Sequence, residues 1–554
     1  MMLRLFMLLS CFLSCAAAVT VNGAAKPASG VSAIEQYVHA PDDHYEWRVL
    51  SRQEFPQHIS LVLKLTSQQW LTADEVNRPI WEHTLSIAVP KGEVSSVALL
   101  YIGGGSNQDD IPQTVAERMA GMAIATGSVT AELGMVPNQP LEFHGDGIPR
   151  YEDDLIGYTW DQFLKHGEAR WLARNPMIKS AVKAMDAVSE AVAEEQVQVD
   201  QYVVAGGSKR GWTTWLTGAL DERVIGIAPI VIDLLNVQES MQHHFEAYGF
   251  WAIAIGDYVD HKIMPRFRNP RVAEMYALID PYNYRHRLDM PKLLINAAGD
   301  QFFLPDSAQF YFDDMRGENY LRYVPNADHS LAGTDAMESL TAFLSLMNSH
   351  RKPPQLDWQL HENLLTAWTR QKPERVLLWQ MTNAEARDFR TETQGRRYTS
   401  QPVALDERGQ YSVRLEAPEQ GWTASFLEFE FDVGATVPLK LTTQIYVTPD
   451  VLPFAGKPLD LPNTFTVACE ASDAGHAQRV ARDFGAEMDN ADFASGELWT
   501  VLADNWAYLN WTPSGRLYAG VDAVRAFLER AECTSVRYQL ESGDQPTLPP
   551  QAAP

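Results

Sequence analysis

The chain has 554 residues, 45% of them hydrophobic and 21% charged, which excludes a disordered or fibrous protein and gives length for several domains. A formal net charge of −26 argues against nucleic acid or anionic membrane as partners, because both demand clustered lysine and arginine. An acidic, soluble surface accounts for it.

Residues 1–25 read as an export signal. Arg4 precedes the apolar "LFMLLSCFLSC", and "AAA" at Ala16–Ala18 supplies small residues for cleavage. No later stretch reaches the roughly 20 apolar residues of a spanning helix. The expected location is therefore periplasmic or secreted, with lipid attachment at Cys15 as the lesser alternative. Of the four cysteines, Cys469 and Cys533 remain in a mature chain, either as a disulfide or as two buried thiols.

From 32 to 350 the pattern predicts one α/β domain. Strand-like runs include "HTLSIAVP", "SSVALLYI", "GMAIATGSV", "DQYVVAG", "VIGIAPIVI", "PKLLINAAG" and "NYLRYVPNA". Between them, "PMIKSAVKAMDAVSEAVAEEQ" and "KRGWTTWLTGAL" have helical periodicity, so a mostly parallel sheet is expected. Residues from about 234 to 290, rich in aromatics and histidine, read as a helical cap inserted between two strands. From 355 to 453, alternating runs such as "RVLLWQMTN" and "ASFLEFEFD" predict a small antiparallel β-domain. Residues 454–536 mix helical and apolar runs, and 537–554 form a polar tail expected to be disordered.

The chemistry concentrates around "YVVAGGSKRGWTTW". Ser208 follows a strand and opens a helix, the context of a nucleophile elbow, although Arg210 stands where a G-x-S-x-G motif has its last glycine. A nucleophilic serine needs a base, an acid that orients the base, and donors for the oxyanion. Asp300, at the tip of "PKLLINAAGD", is the expected acid, with Asp233 at the tip of "VIGIAPIVID" as its rival. His329 in "VPNADHS" follows the last strand and is the expected base, completing the chain order Ser, acid, His. Gly104 and Gly105 in "YIGGGSN", with the backbone N–H of Lys209, are the expected oxyanion donors. Arg210 and Trp212 are placed in the substrate pocket, and Lys209 and Arg210 are expected to make its mouth locally basic. Trp160, Trp171 and Trp215 read as core, and "RYEDD" at 150–154 as a solvated loop or helix start. His243 and His244 are adjacent and cannot share a helix face, so no metal site is expected. The chemistry draws on no cofactor.

Together "GGSKRGWTTW", "YIGGGSN", "DGIPRYEDDLIGYTW", "NAAGDQFF", "NADHS" and "YVHAPDDHYEWRV" resemble the PhoPQ-activated pathogenicity-related proteins. The resemblance runs from about Tyr37 into the β-domain. It implies an exported α/β-hydrolase with Ser208 as nucleophile, Asp300 as acid and His329 as base, and does not settle the substrate; the residues themselves lead to the expectation of a serine hydrolase cleaving an ester or amide in a small molecule or peptide. It leaves open a secreted binding or signalling protein with little turnover. Locally, "GGSKRG" is also similar to the elbow of glucuronoyl esterases, with Gly211 three residues after the serine.

Overall fold

A computed structural model describes residues 32–541 apart from 268, 457–463, 489–496, 504 and 513–520. The signal segment with Cys11 and Cys15 therefore lies outside the described residues. The chain opens with helix α1 (Ala33–His39) and a meander of strands β1 (Glu46–Glu54), β2 (His58–Gln69) and β3 (Ile80–Pro90). Strand β4 (Val97–Ile102), helix α2 (Glu117–Thr126), β5 (Thr130–Leu133), α3 (Glu152–His166) and α4 (Arg174–Glu194) follow. Then come β6 (Gln201–Gly207), α5 (Lys209–Leu220) and β7 (Val224–Ile230).

Helices α6 (Val237–Tyr248), α7 (Gly256–Asp260) and α8 (Pro270–Ile279), with short 3-10 turns, form the expected helical insertion before β8 (Lys292–Ala297). Strand β9 (Asn319–Val324) and helix α9 (Ala336–Asn348) complete the unit. The nine strands form one sheet in the order β1-β2-β3-β5-β4-β6-β7-β8-β9. Pairing is antiparallel from β1 through β3 to β5 and parallel from β5 to β9. This is an α/β-hydrolase sheet, and the turns after β6, β8 and β9 leave its C-terminal edge, where such sheets build sites.

Two sequence expectations change here. The run "GMAIATGSV" is not a strand: its first six residues lie in α2, whose Met119, Ala120, Met122 and Ala123 are buried. Gly127 ends that helix in a left-handed conformation (φ 68°), and the strand begins three residues later. An apolar run without alternation does not separate a buried strand from a buried helix face. The pair β1–β2, inside the region read as α/β, is absent from the strand-like runs read in the sequence, and its burial does not alternate cleanly.

Beyond α9 lie two antiparallel sheets. One comprises β10 (Leu356–His361), β11 (Leu364–Thr369) and β14 (Tyr411–Arg414). The other joins β12 (Arg375–Asn383), β13 (Thr399–Pro402), β15 (Trp422–Phe431), β16 (Leu439–Thr442) and β17 (Tyr446–Thr448), with the short helix α10 (Thr391–Gln394) between β12 and β13. The β-domain packs onto the main sheet: Tyr323 N–H of β9 donates to Thr442 Oγ1 at 3.0 Å. A last sheet, β19-β20-β18-β21, uses β18 (Thr464–Glu470), β19 (Glu497–Ala503), β20 (Trp506–Thr512) and β21 (Ser535–Glu541), with helices α11 (Ala474–Met488) and α12 (Val521–Arg530). Strand β21 runs five residues into the segment expected to be disordered, because pairing with β18 supplies partners for its backbone. Residues 542–554 lie outside the described residues.

Cys469, fully buried on β18, is joined to Cys533 by a disulfide that closes 64 residues of chain. Releasing a loop of that length costs about 4 kcal/mol in chain entropy. Cys533→Ser should therefore lower the stability of the C-terminal sheet while leaving the hydrolase unit intact. Limited proteolysis should show cleavage confined to residues beyond 456; unchanged resistance would contradict this.

Candidate active site

Ser208 sits between β6 and α5 with φ 57° and ψ −125°, a region that a non-glycine residue occupies at a cost of about 1–3 kcal/mol. Close packing enforces it. Its N–H donates to Ile230 O of β7 at 2.8 Å. A Cβ at Gly206 would lie 2.9 Å from Arg210 O, and one at Gly211 would lie 2.9 Å from both Gly206 O and Ile230 O. Gly211 thus does what the last glycine of G-x-S-x-G would do, and position 210 is free to carry a long side chain.

Arg210 uses that freedom. Its Nε donates to Val136 O at 2.5 Å, and both terminal nitrogens grip the Glu152 carboxylate at 2.8 and 2.6 Å. The guanidinium lies so close over Gly104 that a Cβ there would meet Nη2 at 2.8 Å. Lys209 Nζ lies 2.7 Å from Glu152 and 3.2 Å from Asp153. The expectation of a basic mouth is corrected: both cations are matched by carboxylates of the "YEDD" segment. That segment is the first turn of α3 and not a solvated loop. Burial on its own would raise the Glu152 pKa, but the charges of Lys209 and Arg210 outweigh it and hold the carboxyl well below its usual range.

His329 and Asp300 meet as the strand-tip positions suggested. His329 Nδ1 donates to Asp300 at 2.8 Å (Oδ2) and 3.0 Å (Oδ1), and Phe302 N–H donates to Asp300 Oδ1 at 2.8 Å. The Phe302 ring packs against the imidazole with centroids 4.3 Å apart. The other ring nitrogen, Nε2, is buried and has no hydrogen-bond partner, so it is not bonded to Ser208 Oγ in this state. In unliganded sites such bonds are often long and tighten with substrate. The β-domain grips both loops: Thr391 N–H donates to Gly299 O at 2.9 Å, Tyr398 OH to Ala298 O at 3.2 Å, and Asn326 and Tyr398 exchange two bonds.

Asp233, the rival acid, does not reach His329. It is buried and accepts from Tyr311 OH at 2.6 Å and Tyr323 OH at 2.5 Å. Burial raises its pKa to about 7, against the opposing pull of the two hydroxyls. Gly104 and Gly105 stand exposed after β4, Gly105 with φ 108°. The N–H of Gly103 is engaged by Leu133 O at 2.8 Å. His243 pairs with Asp306 at 3.0 Å, and His244 Nε2 accepts from Ala252 N–H at 3.1 Å.

Ser208 and Lys209 line a cavity between the sheet edge and the inserted helices. Trp160, Trp212, Tyr276, Met241 and Phe302 are among the residues lining it. Trp212 lines it, as does Trp160, which the sequence read as core, whereas Arg210 does not. Asp153 also lines it and accepts from Tyr258 OH of α7 at 2.8 Å, while Asp154 pairs with His261 at 2.6 Å. These contacts fasten the cap to α3.

Arg174 and Asp153 were missed. The signal for Arg174 was its place at the first residue of α4, where the helix dipole disfavours a cation.

The sequence pattern that defines the PhoPQ-activated pathogenicity-related proteins matches residues 34–390. The chain belongs to that family. It is 37% identical over 451 residues to autocrine proliferation repressor protein A of Dictyostelium discoideum, across 76% of this chain and 91% of that protein. Among solved structures it is similar to acetyl xylan esterase 1 of Thermoanaerobacterium, at 15% identity and TM-score 0.40, covering 57% of this chain and 93% of that one. An acylaminoacyl peptidase of Pyrococcus horikoshii matches at 14% identity and TM-score 0.33, over 54% of this chain and 48% of that one.

The Asp233 environment yields a pH prediction. A carboxyl whose folded pKa is raised binds its proton more tightly when folded, so its contribution to stability falls as pH rises. The window runs from about pH 4, where an unfolded aspartate titrates, to about 7. Asp233→Asn keeps a polar partner for the tyrosines without a charge. Its melting temperature relative to wild type should climb from about pH 4 to about 7, on the order of several degrees; a difference flat across that window would contradict this.

Proposed function

We propose that the chain is an exported serine hydrolase that cleaves an ester or amide in a small molecule or peptide. The observation that carries this reading is the conjunction of Ser208 on a strained strand–helix turn with a His329–Asp300 pair whose Nε2 is free. His329 Nε2 removes the proton from Ser208 Oγ as the oxygen attacks the carbonyl carbon. Asp300 holds the tautomer with the proton on Nδ1 and stabilises the imidazolium. The tetrahedral oxyanion falls to the N–H of Lys209, at the positive end of α5, and to the N–H groups of Gly104 and Gly105. His329 then returns the proton to the leaving group, and water releases the acyl group by the same steps. Export is supported by the signal-like leader and by the Cys469–Cys533 disulfide, since such bonds persist in oxidising compartments. Among the described residues no helix is long and apolar enough to cross a membrane.

A second reading, a binding or signalling protein on the same fold, draws on the name of the Dictyostelium relative and on the absence of a Ser208–His329 bond. A fluorophosphonate probe separates the two. Wild type should be labelled and Ser208→Ala should not, while His329→Ala should slow labelling by about a thousandfold or more. Equal labelling of wild type and Ser208→Ala, or none of either, would overturn the hydrolase reading.

A further inference from the structure

Arg174 is 1% exposed, and no carboxylate among the described residues pairs with it. Its guanidinium donates to Lys209 O at 2.7 Å, lies 3.9 Å from Met177 sulfur, and stacks over the Trp212 ring at 4.6 Å. Its Nε–H has no partner. Leaving a buried guanidinium unpaired costs several kcal/mol, of which a stacked indole returns about 2 at most.

Three charged residues line the cavity beside Ser208: Asp153, Lys209 and Arg174. Asp153 and Lys209 face each other at 3.2 Å, and the remaining Asp153 oxygen takes the Tyr258 hydroxyl. One positive charge is left over. Two further buried groups in the same wall, Trp160 Nε1–H and Tyr276 OH, also lack partners. The three sites are contiguous: Trp212 packs edge-on against Trp160 at 5.9 Å, and Trp160 against Tyr276 at 5.7 Å. Buried polar groups are normally satisfied, and three unsatisfied donors in one apolar wall suit an acceptor group on a ligand.

We propose that this cavity receives a carboxylate on an apolar, aromatic-sized part of the substrate, with Arg174 as counter-ion and Trp160 and Tyr276 as further donors. The proposal rests on Ser208 being the nucleophile and adds the substrate class. An acidic substrate thus follows from Arg174, whereas the more conspicuous Lys209 and Arg210 are spent on Glu152 and Asp153. Burial lowers the Arg174 pKa to about 10, which leaves the side chain cationic throughout the neutral range.

Binding to the full chain carrying Ser208→Ala tests this without turnover, so its outcome is separate from that of the nucleophile assignment. Tryptophan fluorescence would follow titration with hydrocinnamate and with its uncharged amide, hydrocinnamamide. The carboxylate should bind about tenfold tighter, as a charge-assisted hydrogen bond implies. Adding Arg174→Gln should reduce its affinity to that of the amide, and Arg174→Lys should restore part of the difference. Tyr276→Phe, which keeps the ring, should weaken the carboxylate alone by about threefold to tenfold, and it carries the test if Arg174→Gln fails to fold. Equal affinities in the Ser208→Ala background would overturn the proposal. So would a preference that survives Arg174→Gln, or equal weakening of both ligands by it, which would mark Arg174 as a support for the Lys209 carbonyl only.

Discussion

The site depends on how closely α5 crosses β6 and β7. Carbonyls of Gly206 and Ile230 stand 2.9 Å from where a Cβ of residue 211 would be, so the helix can start there only with glycine at that position. That closeness leaves Ser208 at φ 57° on the turn. The strain is tolerated because the surroundings over-determine it. Ser208 N–H is tied to β7, and Arg210 is tied to the loop after β5 and to α3. Through Arg210 the serine turn, the glycine loop and the cap-bearing helix become one rigid group.

The other half of the site is held from the opposite side. Asp300 and His329 lie on separate loops, and the β-domain bonds to both, through Thr391 at Gly299 and through Tyr398 at Ala298 and Asn326. A Cβ at Gly299 would lie 2.1 Å from Thr391 Oγ1, so this contact leaves no room for adjustment. The cap is held by α3, whose Asp153 and Asp154 meet Tyr258 and His261. Ser208, the Asp300–His329 pair and the cavity are thus fixed by three different parts of the chain. A site whose supports are so distributed is pre-organised, which is what electrostatic stabilisation of a developing oxyanion requires.

Much of this was legible in the sequence because strand tips carry their own punctuation. Asp300 and His329 each follow an apolar run and a turn, and the structure brings them within 2.8 Å. The helical insertion between β7 and β8 was legible from its break in alternation. What was not legible depends on contacts between distant segments. Glu152 and Arg210 are 58 residues apart, and nothing local distinguishes a clamped carboxylate from a solvated one. Arg174, two residues ahead of the helical run read in the sequence, was not singled out because its lack of a counter-ion is a property of the folded cavity. Run "GMAIATGSV" misled because burial on all sides erases the period that separates strand from helix.

In the proposed reaction the elbow presents Ser208 Oγ to a carbonyl, with the Lys209 and Gly104–Gly105 N–H groups facing the oxyanion. A crystal structure of the fluorophosphonate-treated protein tests it most directly. It should show a tetrahedral phosphorus on Ser208 Oγ, with one phosphoryl oxygen within hydrogen-bond reach of Lys209 N and of Gly104 or Gly105 N, and His329 Nε2 turned toward Ser208 Oγ. An adduct on another residue, or a phosphoryl oxygen directed away from those amides, would contradict it.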